Sequence, residues 1–106
     1  MAKRHGRAVV IGGSMAGLLA ARVLSDHFNQ VTILERDAVH DRPESRKGQP
    51  QTRHLHGLLA RGKLVTEALF PGLGDDLLAG GAIPADAGAD ARWFQYGGYR
   101  VQCESE

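Results

Sequence analysis

Apolar and polar positions follow two different rhythms along the chain, and each rhythm predicts an element. Ala8-Val9-Val10-Ile11 is a short continuous apolar run, so residues 7 to 11 read as a buried parallel strand. Ala16, Leu19, Ala20, Val23 and Leu24 then recur at helical spacing, which predicts a helix over residues 14 to 27. A second run, Val31-Thr32-Ile33-Leu34-Glu35, closes a strand–helix–strand unit over residues 7 to 35. Its crossover should be right-handed and lay the two strands side by side in parallel.

The rhythm then stops. From Asp37 to Thr52 the chain is polar and carries Pro43, Gly48 and Pro50, the pattern of an exposed loop longer than most. Leu55, Leu58, Leu59, Val65 and Leu69 restore helical spacing from about His54 to Phe70, with Gly62 permitting close packing and Pro71-Gly72 as the stop. Asp75 to Ala79 suits a short helix ending at Gly80-Gly81, its acids placed at the positive N-terminus. Arg92 to Tyr96 and Tyr99 to Gln102 flank Gly97-Gly98, a hairpin signal in the last segment, residues 92 to 104. The fold class expected is α/β: an incomplete Rossmann-like βαβ dinucleotide-binding unit followed by a C-terminal β-hairpin. The hairpin carries Trp93, Phe94, Tyr96 and Tyr99 with little chain after it, so the expectation is a segment of a larger sheet, open to self-association through that hairpin.

The chemistry concentrates in the first turn. Gly12-Gly13-Ser14-Met15-Ala16-Gly17 follows a strand and opens a helix, and Glu35 comes eighteen positions after Gly17, where a ribose-binding acid is expected. Gly12 supplies a backbone conformation that a Cβ would obstruct, and Gly17 lets the helix pack closely on the strand. The N–H groups around Gly13 to Ala16 would face a pyrophosphate at the helix N-terminus. Ser14 departs from the GxGxxG pattern. Its Cβ narrows the phosphate's approach, while its hydroxyl can serve as N-cap or phosphate donor. Glu35 would accept hydrogen bonds from ribose hydroxyls and repel a 2′-phosphate, with Arg36 beside it softening that repulsion. Spacing admits FAD and NAD alike. An ordinary tight loop for the glycines, and a solvated strand-end carboxylate for Glu35, are the alternatives.

Composition trims the field. A chain of 106 residues buries only about two-thirds of its unfolded surface, which leaves little room for a large catalytic cleft. Thirteen Lys and Arg balance twelve Asp and Glu, so there is no basic field of the kind that attracts nucleic acid. The basic start Lys3-Arg4-His5-Gly6-Arg7 reads as a solvated tail. Cys103 is the only cysteine, which excludes an internal disulfide and fits a reducing cytoplasm. Gly12, Gly13 and Gly17 interrupt the first apolar stretch, against a secretory signal, and no segment is long and apolar enough to span a bilayer. His54 and His56 do not suggest a metal, since residues two apart on a helix point in nearly opposite directions.

The chain resembles the N-terminal part of FAD-dependent monooxygenases of the aromatic-hydroxylase type and related flavin oxidoreductases. Val9 to Leu18 looks like their opening fingerprint, in which serine sometimes replaces the middle glycine. Val31 to Asp37 looks like their second strand, and the stretch from Gly48 to Leu59, followed by Leu69-Phe70-Pro71-Gly72-Leu73, is more specific. The resemblance implies that Arg53, matching an arginine at the start of the family's second helix, lies near the flavin pyrophosphate. Its forked guanidinium suits phosphate oxygens. Gln51 has weaker support as a cofactor contact. The family's later Asp-Gly and Gly-Asp motifs have no counterpart: no Asp-Gly dipeptide occurs, and Gly74-Asp75 comes too early. The resemblance therefore implies an FAD-binding segment that holds the ADP moiety through Gly12, Gly13, Ser14, Ala16, Gly17, Glu35, Arg36 and Arg53. It is not catalytically competent alone, and no catalytic residue or metal ligand is nominated. The complete enzyme would use NAD(P)H to reduce FAD and would act on a small organic substrate. An NAD-linked dehydrogenase fragment and a non-enzymatic interaction module that retains the βαβ remnant are the alternatives.

Overall fold

A computed structural model describes residues 5–105, so Lys3 and Arg4 of the basic start lie outside the described residues. The chain divides into two compact units, one running to Pro71 and the other beginning at Gly72, at the predicted helix stop.

In the first unit β1 (His5–Ile11) and β2 (Phe28–Leu34) pair in parallel, with Val9 opposite Thr32 and Ile11 opposite Leu34. The helix α1 (Met15–Leu24) connects them and packs on both. The ladder extends past the strand ends through His5 N–H to His27 O and Gly12 N–H to Leu34 O, each 2.8 Å. Both strands are longer at their N-terminal ends than the apolar runs suggest. The His5 and Phe28 rings, 5.4 Å apart, pack beside each other there. The predicted burial of β1 needs correction, because only the face carrying Ala8 and Val10 is half-buried, while Val9 is 60% and Ile11 87% exposed. A parallel sheet is ordinarily covered on both faces. Here α1 covers one.

The helix α1 stops earlier than predicted. Ser25 caps it, its Oγ donating to Arg22 O at 2.6 Å, and the polar Ser25-Asp26-His27 turn leads into β2. The second helix, α2 (Ala60–Leu69), is also shorter than the apolar spacing implies. Pro50–Arg53 form a 3₁₀ turn that ends at His54 in extended backbone, and Leu59 is extended as well, so the helix begins only at Ala60. Leu55, expected on a packed helical face, is fully exposed. The helices α1 and α2 pack together, tied by Arg22 Nε donating to Leu69 O at 2.8 Å. Among the described residues two are buried, Ala21 and Thr66, one from each helix, and Thr66 Oγ1 is satisfied by the Gly62 and Lys63 carbonyls.

The second unit opens with α3 (Leu73–Ala79), which starts after Gly72 at φ +90° and carries Asp75 and Asp76 in its first turn. The hairpin is present as β3 (Phe94–Gln95) and β4 (Gly98–Tyr99), but its turn is displaced by one residue. Tyr96 (φ 53°) and Gly97 (φ 82°) form the turn, in place of the predicted Gly97-Gly98. This register sets Phe94 opposite Tyr99, where the rings meet edge to face at 5.2 Å and Arg92 sits 4.8 Å from the Tyr99 ring. Aromatic pairing across the strands outweighed the conformational ease of two glycines. The Asp86 carboxylate gathers the rest of the unit. It accepts from the Ser105 hydroxyl first of all, and from the Ala89, Ser105 and Gly88 N–H groups, which together hold it well below the usual carboxylate range.

Among the described residues no helix is long and apolar enough to cross a membrane. None of their His, Cys, Asp and Glu side chains group in threes that could hold a metal ion.

Candidate functional site at the glycine turn

The turn between β1 and α1 has the backbone its glycines suggest. Gly12 lies at φ +100°, a region closed to most side chains, and a Cβ on Gly17 would come within 1.8 Å of the Gly12 carbonyl oxygen. The helix thus starts in backbone contact with the end of the strand, an approach only glycine permits. Ser14 occupies the N-cap position, but its hydroxyl makes no capping bond, which corrects that part of the sequence reading. The first intrahelical bond is Leu18 N–H to Ser14 O at 2.9 Å, so the N–H groups of Met15, Ala16 and Gly17 precede the helical ladder and find no acceptor among the described residues.

Glu35 lies just beyond the end of β2, next to this turn. Its Oε2 accepts from Gly13 N–H at 2.6 Å and its Oε1 from Asp37 N–H at 2.9 Å. These bonds, Asp37 first and Gly13 second, lower its pKa from the ordinary carboxylate value, and the nearby Arg46 charge adds to the effect. The carboxylate is therefore ionised, fixed in direction and attached to the glycine turn.

Arg46 is the site residue that sequence reasoning missed. It approaches from the polar loop after β2: Nη1 lies 3.4 Å from Glu35 Oε2, Nη2 donates to Gly13 O at 3.1 Å, and Nε donates to Gln49 Oε1 at 3.3 Å. The loop is tied down a second time by Gly48 N–H donating to Asp37 Oδ2 at 2.7 Å. A groove of about 430 Å³ opens here, lined by Leu18, Ile33 and Val39 on its apolar side and by Gly13, Glu35 and Arg46 on its polar side.

The other predicted arginines stand apart from this cluster. Arg36 has a side chain 84% exposed and faces Asp37 at 3.7 Å. Arg53 ends the 3₁₀ turn instead of starting a helix, and it is exposed. His54 and His56 lie between that turn and α2, on exposed non-helical backbone, so the argument from helical spacing does not apply to them. Gly12, Gly13, Ser14, Ala16, Gly17 and Glu35 are brought together by local structure. Arg36 and Arg53 are not drawn in.

No family model matches the chain. Over 74 residues, 70% of the chain, it is 55% identical to Protein Rv3254 of Mycobacterium tuberculosis (strain ATCC 25618 / H37Rv). That stretch is 16% of the length of the mycobacterial protein, so the chain spans a small part of the relative it matches.

Proposed function

We propose that the unit ending at Pro71 binds the adenosine-diphosphate half of an adenine dinucleotide, as the FAD-binding segment of a flavin-dependent monooxygenase or related oxidoreductase built on a Rossmann-like βαβ start. One observation carries the reading: the ends of two parallel strands place three unsatisfied helix N–H groups and an ionised, oriented carboxylate on the same glycine turn.

The residues fit that half of the cofactor. Gly12 and Gly17 keep side-chain atoms out of the turn, and the N–H groups of Met15, Ala16 and Gly17 with the helix dipole behind them suit a pyrophosphate. Glu35 suits ribose hydroxyls. The Gly13 N–H, already donated to Glu35, is removed from the set of phosphate donors, and Gly13 becomes a link between acid and turn. Arg36 and Arg53 remain candidates for outer phosphate contacts. A bound flavin would supply the redox chemistry, with NAD(P)H as co-substrate and a small organic molecule as substrate of the complete enzyme. This chain's contribution is to bind and orient.

Titration calorimetry of the folded chain with FAD, NAD and ADP tests the reading. Comparable affinity for ADP and FAD is the expected result, because the ADP half carries the contacts. A chain that melts cooperatively yet binds none of the three would overturn it. A second reading, an association module, draws on the exposed Phe94, Tyr96, Tyr99 and Val101 of the hairpin segment. Sedimentation that depends on concentration in the absence of nucleotide would favour it.

A further inference from the structure

Glu35 is joined to the glycine turn on one side and to Arg46 on the other, and the second joint is the unexpected one. Arg46 is thirty-three positions from Gly13 and belongs to a loop with no helix or strand of its own before the 3₁₀ turn. Its side chain is nevertheless only 15% exposed, close to the 18% of Glu35 itself. Three acceptors hold the guanidinium: the Gly13 carbonyl, Gln49 Oε1 and, at the longer distance of 3.4 Å, Glu35 Oε2. Two of these are atoms other than Glu35, so the guanidinium is anchored on the turn and on the loop as well as on the carboxylate. The forked geometry matters because a lysine presents a point charge and cannot span all three.

The lone pairs on the acid divide unequally. A carboxylate offers about four acceptor sites over its two oxygens. Oε2 takes Gly13 N–H and faces Arg46, whereas Oε1 takes Asp37 N–H, and the Arg36 N–H also turns towards the carboxylate. Arg46 thus sits on the oxygen that Gly13 already holds, on the side away from Oε1.

We propose that Arg46 is the positioning residue for the ribose acid: anchored on Gly13 and Gln49, it holds Glu35 against the glycine turn so that Oε1 meets a ribose hydroxyl as a preset acceptor. The inference rests on the nucleotide reading above. It adds a residue from the loop after β2, outside the strand–helix–strand unit, to the machinery that distinguishes ribose from deoxyribose. A 2′-hydroxyl would meet a fixed acceptor, and a nucleotide lacking it would leave that acceptor unpaired.

Titration calorimetry of the chain with ADP and with 2′-deoxy-ADP tests this, since the ratio of the two affinities reports the acceptor and not the general quality of the fold. The unsubstituted chain is expected to favour ADP by about tenfold, the usual effect of a hydrogen bond to a charged group. Arg46→Gln should cut that preference to about twofold or less, and Arg46→Lys, which keeps the charge but not the fork, should fall between. Glu35→Gln should reduce the preference similarly, and the Glu35→Gln/Arg46→Gln double variant should reduce it no further, as for two residues acting in series. Arg46→Gln weakening both nucleotides alike, with the preference intact, would assign Arg46 to loop structure only and overturn the inference while the nucleotide reading stands. An unsubstituted chain that binds both nucleotides equally would also overturn it. If the folded chain binds neither, the nucleotide reading itself fails and takes the role of Arg46 with it.

Discussion

The backbone contact between Gly17 and Gly12 is a direct target for a stability measurement. Alanine at position 17 would place its Cβ 1.8 Å from Gly12 O, 2.9 Å from Gly12 C and 3.5 Å from Val10 Cγ1. The first two are backbone atoms, so no rotamer change relieves the clash. Gly12 is held in turn by its own N–H bond to Leu34 O. Either α1 lifts away from β1 or the φ +100° turn is rebuilt. Overpacking typically costs about 1–3 kcal/mol, and a backbone obstruction places this substitution at about 3 kcal/mol. At about 0.05–0.15 kcal/mol per residue, a unit of roughly seventy residues has about 4–10 kcal/mol in total, so the loss is a large fraction of its stability. A thermal melt followed by far-ultraviolet circular dichroism should show the midpoint falling by about 12–24 °C. Gly57→Ala is the control, because a Cβ there meets nothing within 4 Å. A Gly17→Ala chain melting within about 3 °C of the unsubstituted one would refute the close approach of α1 to the end of β1.

Three further substitutions follow from the same geometry. Tyr96→Asn should stabilise the second unit by about 0.5–1 kcal/mol, because asparagine tolerates the positive φ that tyrosine adopts here with an unburied ring; the fluorescence of Trp93, the only tryptophan, would report it. Arg22→Ala removes the bond to Leu69 O and the exposed pair with Asp26, and should cost about 1 kcal/mol in a denaturant titration of the first unit. Asp86 has a lowered pKa in the folded chain, so its contribution is complete above the ordinary carboxylate range and is lost as pH falls through the folded value. Asp86→Asn should therefore lower the melting temperature of the second unit at neutral pH and flatten the acid limb of its pH profile.

How far the sequence revealed this structure depended on the distance over which each feature is determined. The strand–helix–strand unit was legible because three adjacent apolar patterns and one glycine turn specify it locally, and the observed β1, α1 and β2 lie within a few residues of expectation. The start of α2 was not legible. Leu55, Leu58 and Leu59 have helical spacing, yet the 3₁₀ turn at Pro50–Arg53 delivers the chain in extended form and the helix forms only from Ala60. That shift removed Arg53 from a helix start. The hairpin was read from its glycines, while its register followed from Phe94 meeting Tyr99, a cross-strand pair that turn propensity does not weigh. Arg46 left no trace in periodicity at all, because the two partners that bring it to the site, Glu35 and Gly13, lie eleven and thirty-three positions away.

The site therefore joins two kinds of information. Gly12, Gly17 and Glu35 follow from a local pattern, and by themselves they describe a turn able to face a phosphate and a carboxylate able to face a sugar. What makes these one device is the loop after β2, which closes back through Arg46 on Gly13 and through Gly48 on Asp37. The Gly13 N–H and carbonyl are then held by opposite charges, Glu35 on one and Arg46 on the other. Movement of either charge is felt by the turn. Nucleotide affinity should therefore fall on acidification as Glu35 gains a proton, below the ordinary carboxylate range because its folded pKa is lowered, and the same titration should loosen the hold of Arg46 on the loop. Calorimetry with ADP across that acid range, run beside Glu35→Gln, separates the two contributions: an affinity as pH-dependent in the variant as in the unsubstituted chain would place the titrating group elsewhere.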